Sequence, residues 1–269
     1  MVYFYASFTT MGYTKSTKLN RLITEWPRGC VLTAQHLKSI GFSGHLIVKY
    51  RQGNWIRQIG RGAYILQGDV VDWSGGLYAI QTQQKLNIHV GGRTALEMLG
   101  YAHYISDKHR KIFLYGEKMQ KIPAWFIDHD WQIDIQYCST NLFPNDCKIG
   151  LTKRKEREYS IQISSAERAA MEMLYYVPNK VGFDEAMLIM ENLTSLRPRV
   201  VQVLLEVCNF VKVKRLFMYM ARKHAYSWVT KIDFSKVDLG KGKRVIVPNG
   251  ILDKEFQITV PKMEEEVTY

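Results

Sequence analysis

The sequence predicts an α+β fold, an N-terminal winged helix-turn-helix followed by a larger mixed α/β C-terminal domain. Three observations carry that expectation. Between Lys15 and Leu66, three amphipathic helical stripes are followed by two β-rich runs joined at glycines. From Asp72 onward, short β-rich runs and helical stripes are mixed, with no internal repeat and no low-complexity linker. Apolar residues make up 46% of the 269 positions and aromatics 12%, enough to bury a core and to argue against disorder.

In the first unit, Leu19, Leu22, Ile23 and Trp26 fall at i, i+3, i+4 and i+7, one stripe of a helix that Pro27 stops. Thr33 has the chemistry of an N-cap for a second helix, with Ala34, Leu37 and Ile40 inward and Gly41 making a positive-φ turn. Ser43 caps a third helix that runs to about Gln52, with Leu46, Ile47 and Tyr50 inward, and Gly53-Asn54 ends it. Residues 55–59 and 63–66, joined by Gly60-Arg61-Gly62, read as a hairpin. Helix, helix, glycine turn, helix, hairpin is the order of a winged helix-turn-helix.

Further along, 72–83 reads as a connecting helix, and 86–90 as a strand turning through Gly91-Gly92 into a helix over 93–99. Strands are expected at 111–115, 124–127, 132–137 and 159–163. Ser164-Ser165-Ala166-Glu167 has the make-up of a capping box opening a helix to about Tyr176. Helices follow at 183–193, at 198–209 with Pro198 in the first turn, and at 211–224. Strands at 243–247 and 256–260 would pair across Asn249-Gly250. The expected division is a lead-in over 1–14, the winged unit over 15–68, a connecting helix over 69–86, a C-terminal domain over 87–262 in one piece or two subdomains, and an acidic tail over 263–269.

Composition narrows the function. The most apolar stretch, 200–213, is interrupted by Gln202, Glu206, Asn209 and Lys212 and falls short of the ~20 residues a bilayer span needs. The first ten residues lack a basic region and a small-residue cleavage pattern, so no secretory signal is expected and the location is cytoplasmic. Cys30, Cys138, Cys147 and Cys208 form no C-x-x-C pair and no zinc spacing, and read as reduced, mostly buried thiols. Lys plus Arg number 37 against 25 acids, a formal charge of +12, which favours a polyanionic partner.

The third helix concentrates that expectation. With Leu46, Ile47 and Tyr50 inward, its outer face shows His45, Val48, Lys49 and Gln52, with Arg51 on the flank, a set suited to base edges in a major groove. Arg28, Lys38, the Ser43 cap, and Arg57 and Arg61 on the wing are suited to phosphates. Among residues 1–80 there are nine Lys or Arg and three acids, two of which, Asp69 and Asp72, lie beyond the hairpin. A solvated face or a protein-contact surface would carry similar cations. Near the other end, Lys212, Lys214, Arg215, Arg222, Lys223, Lys241, Lys243 and Arg244 offer either a second nucleic-acid contact or a solvated covering of core helices.

Signals of catalysis are thin. Gly91-Gly92-Arg93-Thr94 opens a helix after a strand, where backbone amides can hold an anion. It lacks the lysine of a P-loop and the third glycine of a dinucleotide fingerprint, and reads first as a tight turn. Asp128-His129-Asp130 with Asp134 offers metal-type ligands, but neighbours in an extended segment point to opposite faces. His89, between Ile88 and Val90, reads as a satisfied structural residue, and no G-x-S-x-G elbow occurs. No catalytic residue, metal or cofactor is expected.

Several segments, in order along nearly the whole chain, resemble the AbiEi antitoxins of bacterial abortive-infection systems. They are Leu32-Thr33-Ala34, Gly41, Gly60-Arg61-Gly62-Ala63-Tyr64, His89-Val90-Gly91-Gly92-Arg93-Thr94-Ala95-Leu96-Glu97 and Ser164-Ser165-Ala166-Glu167-Arg168-Ala169. Leu193-Thr194-Ser195-Leu196-Arg197-Pro198, the run from Val211 to Phe217 and that from Asp238 to Arg244 continue the likeness. The resemblance implies a phage-defence toxin–antitoxin pair of type IV. A winged-helix DNA-binding domain would repress the shared promoter at inverted repeats, and a C-terminal domain would counteract a cognate nucleotidyltransferase-like toxin without a stable complex. Inverted repeats call for two copies on the DNA; with no coiled-coil zipper in the chain, the free protein is expected to be a monomer. Two other readings remain open. One is a metal-dependent nucleic-acid-processing enzyme, with acids such as Asp134 and Glu167 in a nuclease-like domain. The other is a protein-interaction adaptor that uses the wing face.

Overall fold

The computed structural model describes residues 18–102 and 111–262. The expected lead-in and acidic tail lie outside the described residues. In the first unit, Leu22 and Trp26 anchor α1 (Lys18–Glu25) and its exit. The Thr33 hydroxyl accepts from the His36 amide and opens α2 (Ala34–Ser39), and the Ser43 hydroxyl accepts from Leu46 and opens α3 (Gly44–Gln52). Gly41, at φ 97°, makes the turn between them in a region closed to most side chains. Leu22, Trp26, Leu32, Leu37, Phe42, Ile47, Tyr50, Ile56 and Leu66 form one buried cluster.

Beside these helices lies a three-stranded antiparallel sheet of β1 (Leu32–Thr33), β2 (Ile56–Gly60) and β3 (Ala63–Leu66), in the order β1-β3-β2. Strand β3 has period-2 burial in two directions. Leu66 joins the helical cluster and Tyr64 packs against it, whereas Ala63 and Ile65 belong to the main core. The strand is therefore buried on both faces.

The main core surrounds a five-stranded mixed sheet, built from β4 (His89–Val90), β5 (Lys111–Glu117), β6 (Asp134–Thr140), β7 (Leu151–Lys155) and β8 (Ser160–Ser164) in the order β6-β5-β4-β8-β7. The β5–β6 and β4–β8 pairs are parallel, and β4–β5 and β7–β8 antiparallel. Helix α4 (Trp73–Thr82), capped by Asp72, joins the two sheets. Gln83, just past its end, accepts from Thr33 N and donates to Val31 O, both at 2.8 Å. Gln81 accepts from Gln162 N at 2.8 Å and donates to Ile88 O and Gln162 O. Two side-chain amides thus act as extra strand segments, one for each sheet.

Helix α7 (Ala166–Tyr175) is buried over nearly its whole length, packed among α5 (Gly92–Met98), α8 (Phe183–Glu191), α9 (Pro198–Val207) and α10 (Val211–Lys223). A small third sheet carries β9 (Arg244–Val245), β10 (Ile251–Asp253) and β11 (Ile258–Val260).

Three local expectations are corrected, and one strand was not foreseen. Residues 124–127 form a helical turn, α6 (Ala124–Ile127), because Pro123 fixes its entry and the turn presses Trp125 against Gly60, where a Cβ would come within 2.7 Å of the tryptophan. The late strands do not form a hairpin across Asn249-Gly250: β9 runs parallel to β11, and β10 is the antiparallel partner. The Ser165 side chain makes no cap bond to a helix amide; it donates to Glu167, whose carboxylate is engaged by Arg197. Strand β7, Leu-Thr-Lys-Arg-Lys, was not expected, because its sequence has no apolar alternation.

Gly75 sits where α4 meets the first unit. A Cβ there would lie 1.8 Å from the Gly29 carbonyl oxygen, a backbone atom that has no flexible side chain to yield. Gly75→Ala is expected to cost about 2–3 kcal/mol, read as a fall in the urea midpoint at unchanged m-value. A loss below 0.5 kcal/mol would mean that the joint between the sheets is looser than this contact implies.

Candidate nucleic-acid interface

Helix α3 divides cleanly by exposure. Ile47 and Tyr50 are buried, with the Tyr50 ring 6.3 Å from that of Phe42, while His45, Val48, Lys49, Arg51 and Gln52 are exposed. His45, Lys49 and Gln52, at i, i+4 and i+7, share one face. The helix ends in a Schellman pattern, with Trp55 N donating to Tyr50 O at 2.9 Å, Asn54 N to Arg51 O at 3.1 Å and Asn54 at φ 56°.

The hairpin is tied to this helix and to α2. Arg51 Nη1 donates to Gln58 Oε1 at 2.7 Å, and Ala34 N donates to Gly62 O at 2.7 Å beside the tip. Arg57 and Arg61 are exposed on it. Lys38 is exposed on α2, and its Cε lies 3.8 Å from where a Cβ on Gly44 would be, so its stem borders the start of α3. Between Glu25 and Asp69 the chain has six Lys or Arg and no acid. That stretch contains α2, α3 and the hairpin, so their outward charges have one sign.

Arg28 stands apart from this group. Its amide donates to Glu158 Oε2 at 3.2 Å and the next amide, Gly29 N, donates to Asp69 Oδ2 at 2.8 Å, so the residue sits among carboxylates. A phosphate contact there would meet like charge.

The second set of expected cations divides. Lys212 Nζ donates to the carbonyls of Tyr175 and Val177, and Lys214 Nζ to that of Asp238. Arg215 is buried, and its guanidinium donates to Leu239, Gly240, Gly242 and Gln257 carbonyls. These three fasten loops to α10, so their polar groups are engaged by backbone carbonyls within the protein. Arg222 pairs with Glu255 and lies over the Phe234 ring, and Lys223 lies over that of Tyr219. Lys241, Lys243 and Arg244 are exposed. The signal for this was present: cations at i, i+2 and i+3 on a helix that is otherwise apolar all round.

Sequence reasoning missed the largest polar cluster. Glu172, buried in α7, accepts from His89 Nε2 at 2.9 Å, Arg168 Nε at 2.9 Å, Ser164 Oγ at 2.8 Å and Gly92 N at 3.0 Å. The anion held at the Gly91-Gly92 turn is thus the protein's own carboxylate. Glycine is required at 91 because a Cβ would come within 2.2 Å of Glu172 Oε2. Burial pushes the Glu172 carboxyl up, but His89 and Arg168 override it and hold it at about 2. Burial also lowers His89, opposed by Glu172. Ser164 and His89 bond to the glutamate and not to each other, so the trio does not form a base-activated nucleophile. Glu167 is held near 2 in the same way: burial raises it, but Arg197 and Ser165 prevail.

The metal-type run does not converge. Asp130 accepts from Gln132 through both oxygens, His129 lies edge-on to Trp131 at 4.4 Å, and Asp128 and Asp134 are exposed. Among the described residues no group of three or more His, Cys, Asp or Glu is placed to hold a metal ion. Cys30, Cys138 and Cys208 are buried free thiols and Cys147 is half-buried. Among the described residues no helix is long and apolar enough to cross a membrane.

A helix-and-hairpin unit with exposed cations, joined to a mixed-sheet unit that encloses a buried polar cluster, defines a class of two-part α+β proteins. Within that class, residues 15–107 match the family described as transcriptional regulator, AbiEi antitoxin N-terminal domain. Residues 109–261 match transcriptional regulator, AbiEi antitoxin, type IV TA system. The chain belongs to this family of antitoxins and transcriptional regulators. No functionally curated protein matches it. Among solved structures it is similar to the RV2827C protein from Mycobacterium tuberculosis, with a TM-score of 0.59 at 13% identity over 90% of this chain and 89% of that one, a likeness of fold.

Acid should weaken the protein through the Glu172 cluster. Both His89 and Glu172 are lowered in the folded state, so their stabilisation is present above their ordinary values of 6.5 and 4.5 and is lost as pH falls through the folded ones. The urea midpoint is expected to drop below pH 6.5 and again between 4.5 and about 2. Glu172→Ala should cost about 3–5 kcal/mol at pH 7 by leaving Arg168 unpaired, and should shrink the second drop. A flat midpoint from pH 7 to pH 3 would contradict the assignment.

Proposed function

We propose that the chain is a DNA-binding repressor as well as an antitoxin, with the first unit acting as a winged helix-turn-helix. The observation that carries this is the outward face of α3, where His45, Lys49 and Gln52 are exposed together within a stretch that has no acid between Glu25 and Asp69. In this reading α3 enters the major groove, and Lys49 and Gln52 reach base edges. Lys38, Ser43, Arg57 and Arg61 meet phosphates on either side. Arg51, already bonded to Gln58, sets the angle between helix and wing.

The target in this reading is inverted-repeat DNA in the promoter that the protein shares with its toxin. Two copies load on the two half-sites, and the free protein is a monomer. The toxin is a nucleotidyltransferase-like protein, antagonised without a stable complex. The chain itself performs no catalysis, consistent with a Ser164–Glu172–His89 trio that is buried and bonded through its acid. It acts in the cytoplasm.

A gel shift with the DNA immediately upstream of its own reading frame tests the proposal. Lys49→Ala should cost about 1–3 kcal/mol on that DNA and far less on mixed-sequence duplex; an equal loss on both would demote Lys49 to a backbone contact. With Lys38, Arg57 and Arg61 on phosphates, log affinity against log salt should have a slope of roughly −3 per copy. A protein that cuts plasmid DNA when magnesium is added, or that ignores duplex DNA, would refute the repressor reading.

A further inference from the structure

Trp55 stands at the junction of α3 and β2 with 47% of its surface exposed, whereas Trp26, Trp125, Trp131 and Trp228 are buried and Trp73 is half-buried. Its backbone is fixed on both sides: the amide closes the Schellman pattern on Tyr50, and the carbonyl accepts from Gln67 N at 3.0 Å. In that pattern the residue at this position commonly folds its side chain back onto the last turn. Here the indole rests over Gly53 instead. A Cβ on Gly53 would lie 3.1 Å from Trp55 Cδ1 and 3.4 Å from Nε1, and Gly53 has an ordinary negative φ of −82°. Close passage of the ring, and not backbone conformation, is what glycine permits at that position.

The ring also has an unused donor. Trp26, Trp131 and Trp228 each donate Nε1–H to a backbone carbonyl, at 3.0, 2.7 and 3.2 Å, but Trp55 Nε1 has no partner among the described residues. The indole is therefore an exposed apolar plate with a free N–H, near Lys49, Arg51 and Arg57 in sequence and remote in sequence from any acid.

We propose that Trp55 is a backbone anchor for duplex DNA, with its ring against a deoxyribose and its Nε1–H donating to the adjacent phosphate. This deepens the duplex-binding reading above and rests on it. The reading above gives the base edges to Lys49 and Gln52 on α3. Trp55 lies three residues beyond the C-terminal end of α3, where the chain would pass from the groove to the sugar–phosphate rim. The neighbouring cations favour a polyanion over an ordinary protein surface. Aromatic rings with one polar tip suit a surface that is part apolar sugar and part acceptor.

The test uses the full chain, a duplex from upstream of its reading frame and a mixed-sequence duplex. Tryptophan emission is quenched with acrylamide with and without DNA. The expected result is that DNA protects wild-type emission but leaves that of Trp55→Phe unchanged. Trp55→Ala should lose about ten-fold in affinity on both duplexes alike, and Trp55→Phe, which keeps a ring but no N–H, should lose less. Unchanged quenching with an intact gel shift would overturn the anchor and leave the duplex reading standing. So would a Trp55→Ala protein that binds DNA normally but no longer neutralises the toxin, because that outcome assigns the ring to a protein contact. Failure of the wild-type chain to shift either duplex would overturn both.

Discussion

The fold depends on two glutamine amides at the end of α4. Gln83 bonds the backbone at β1 and Gln81 that at β8, each with one accepted and at least one donated bond. An amide side chain presents the same donor and acceptor pair as a peptide unit, so a helix can bond strand backbone without contributing a strand. Because both residues lie within three positions of each other, the two sheets are registered to the same turn of the same helix. Gly75 brings that helix within van der Waals contact of the Gly29 carbonyl, and Gly76 does the same for the rings of Phe126 and Trp131. Two glycines weaken the isolated helix by about 1 kcal/mol each, which the close approach must offset.

Much of the N-terminal architecture was legible because its signals are local. Thr33 and Ser43 cap as their chemistry suggests, Gly41 takes the positive φ that a tight turn needs, and the apolar stripes point where their spacing places them. The errors arise where distant parts of the chain decide. Residues 124–127 have the composition of a strand, but Pro123 and the space beside Gly60 make them a turn of helix. The pairing of β9 with β11 depends on where a whole loop returns, and no pair of neighbouring residues encodes it.

The candidate site divides along the same line. Exposure on α3 followed from helical period, so His45, Lys49 and Gln52 were readable as a set. Arg28 was not, since Glu158, the acid that its own backbone amide meets, is 130 positions away. Lys212, Lys214 and Arg215 carry formal charges that composition counts as surface, yet they are used to hold carbonyl groups of the 175–177 and 238–242 segments. Net charge therefore overstates the field that a polyanion would meet from the C-terminal half. The Glu172 cluster left only a faint trace in the sequence, an arginine and a glutamate four apart in a helix of alanines and methionines.

Strand β3 has a consequence for how such proteins diversify. Its two faces serve different cores, Leu66 on one side and Ala63 and Ile65 on the other. The boundary between the first unit and the rest of the chain is thus a shared wall and not a flexible tether. Grafting a first unit from a distant relative by cutting after the hairpin would bring along an inner surface shaped for another body. Exchange between relatives must therefore either carry α4 and its mating surfaces as well or be confined to the outer face of α3, where exposed side chains can change without repacking anything.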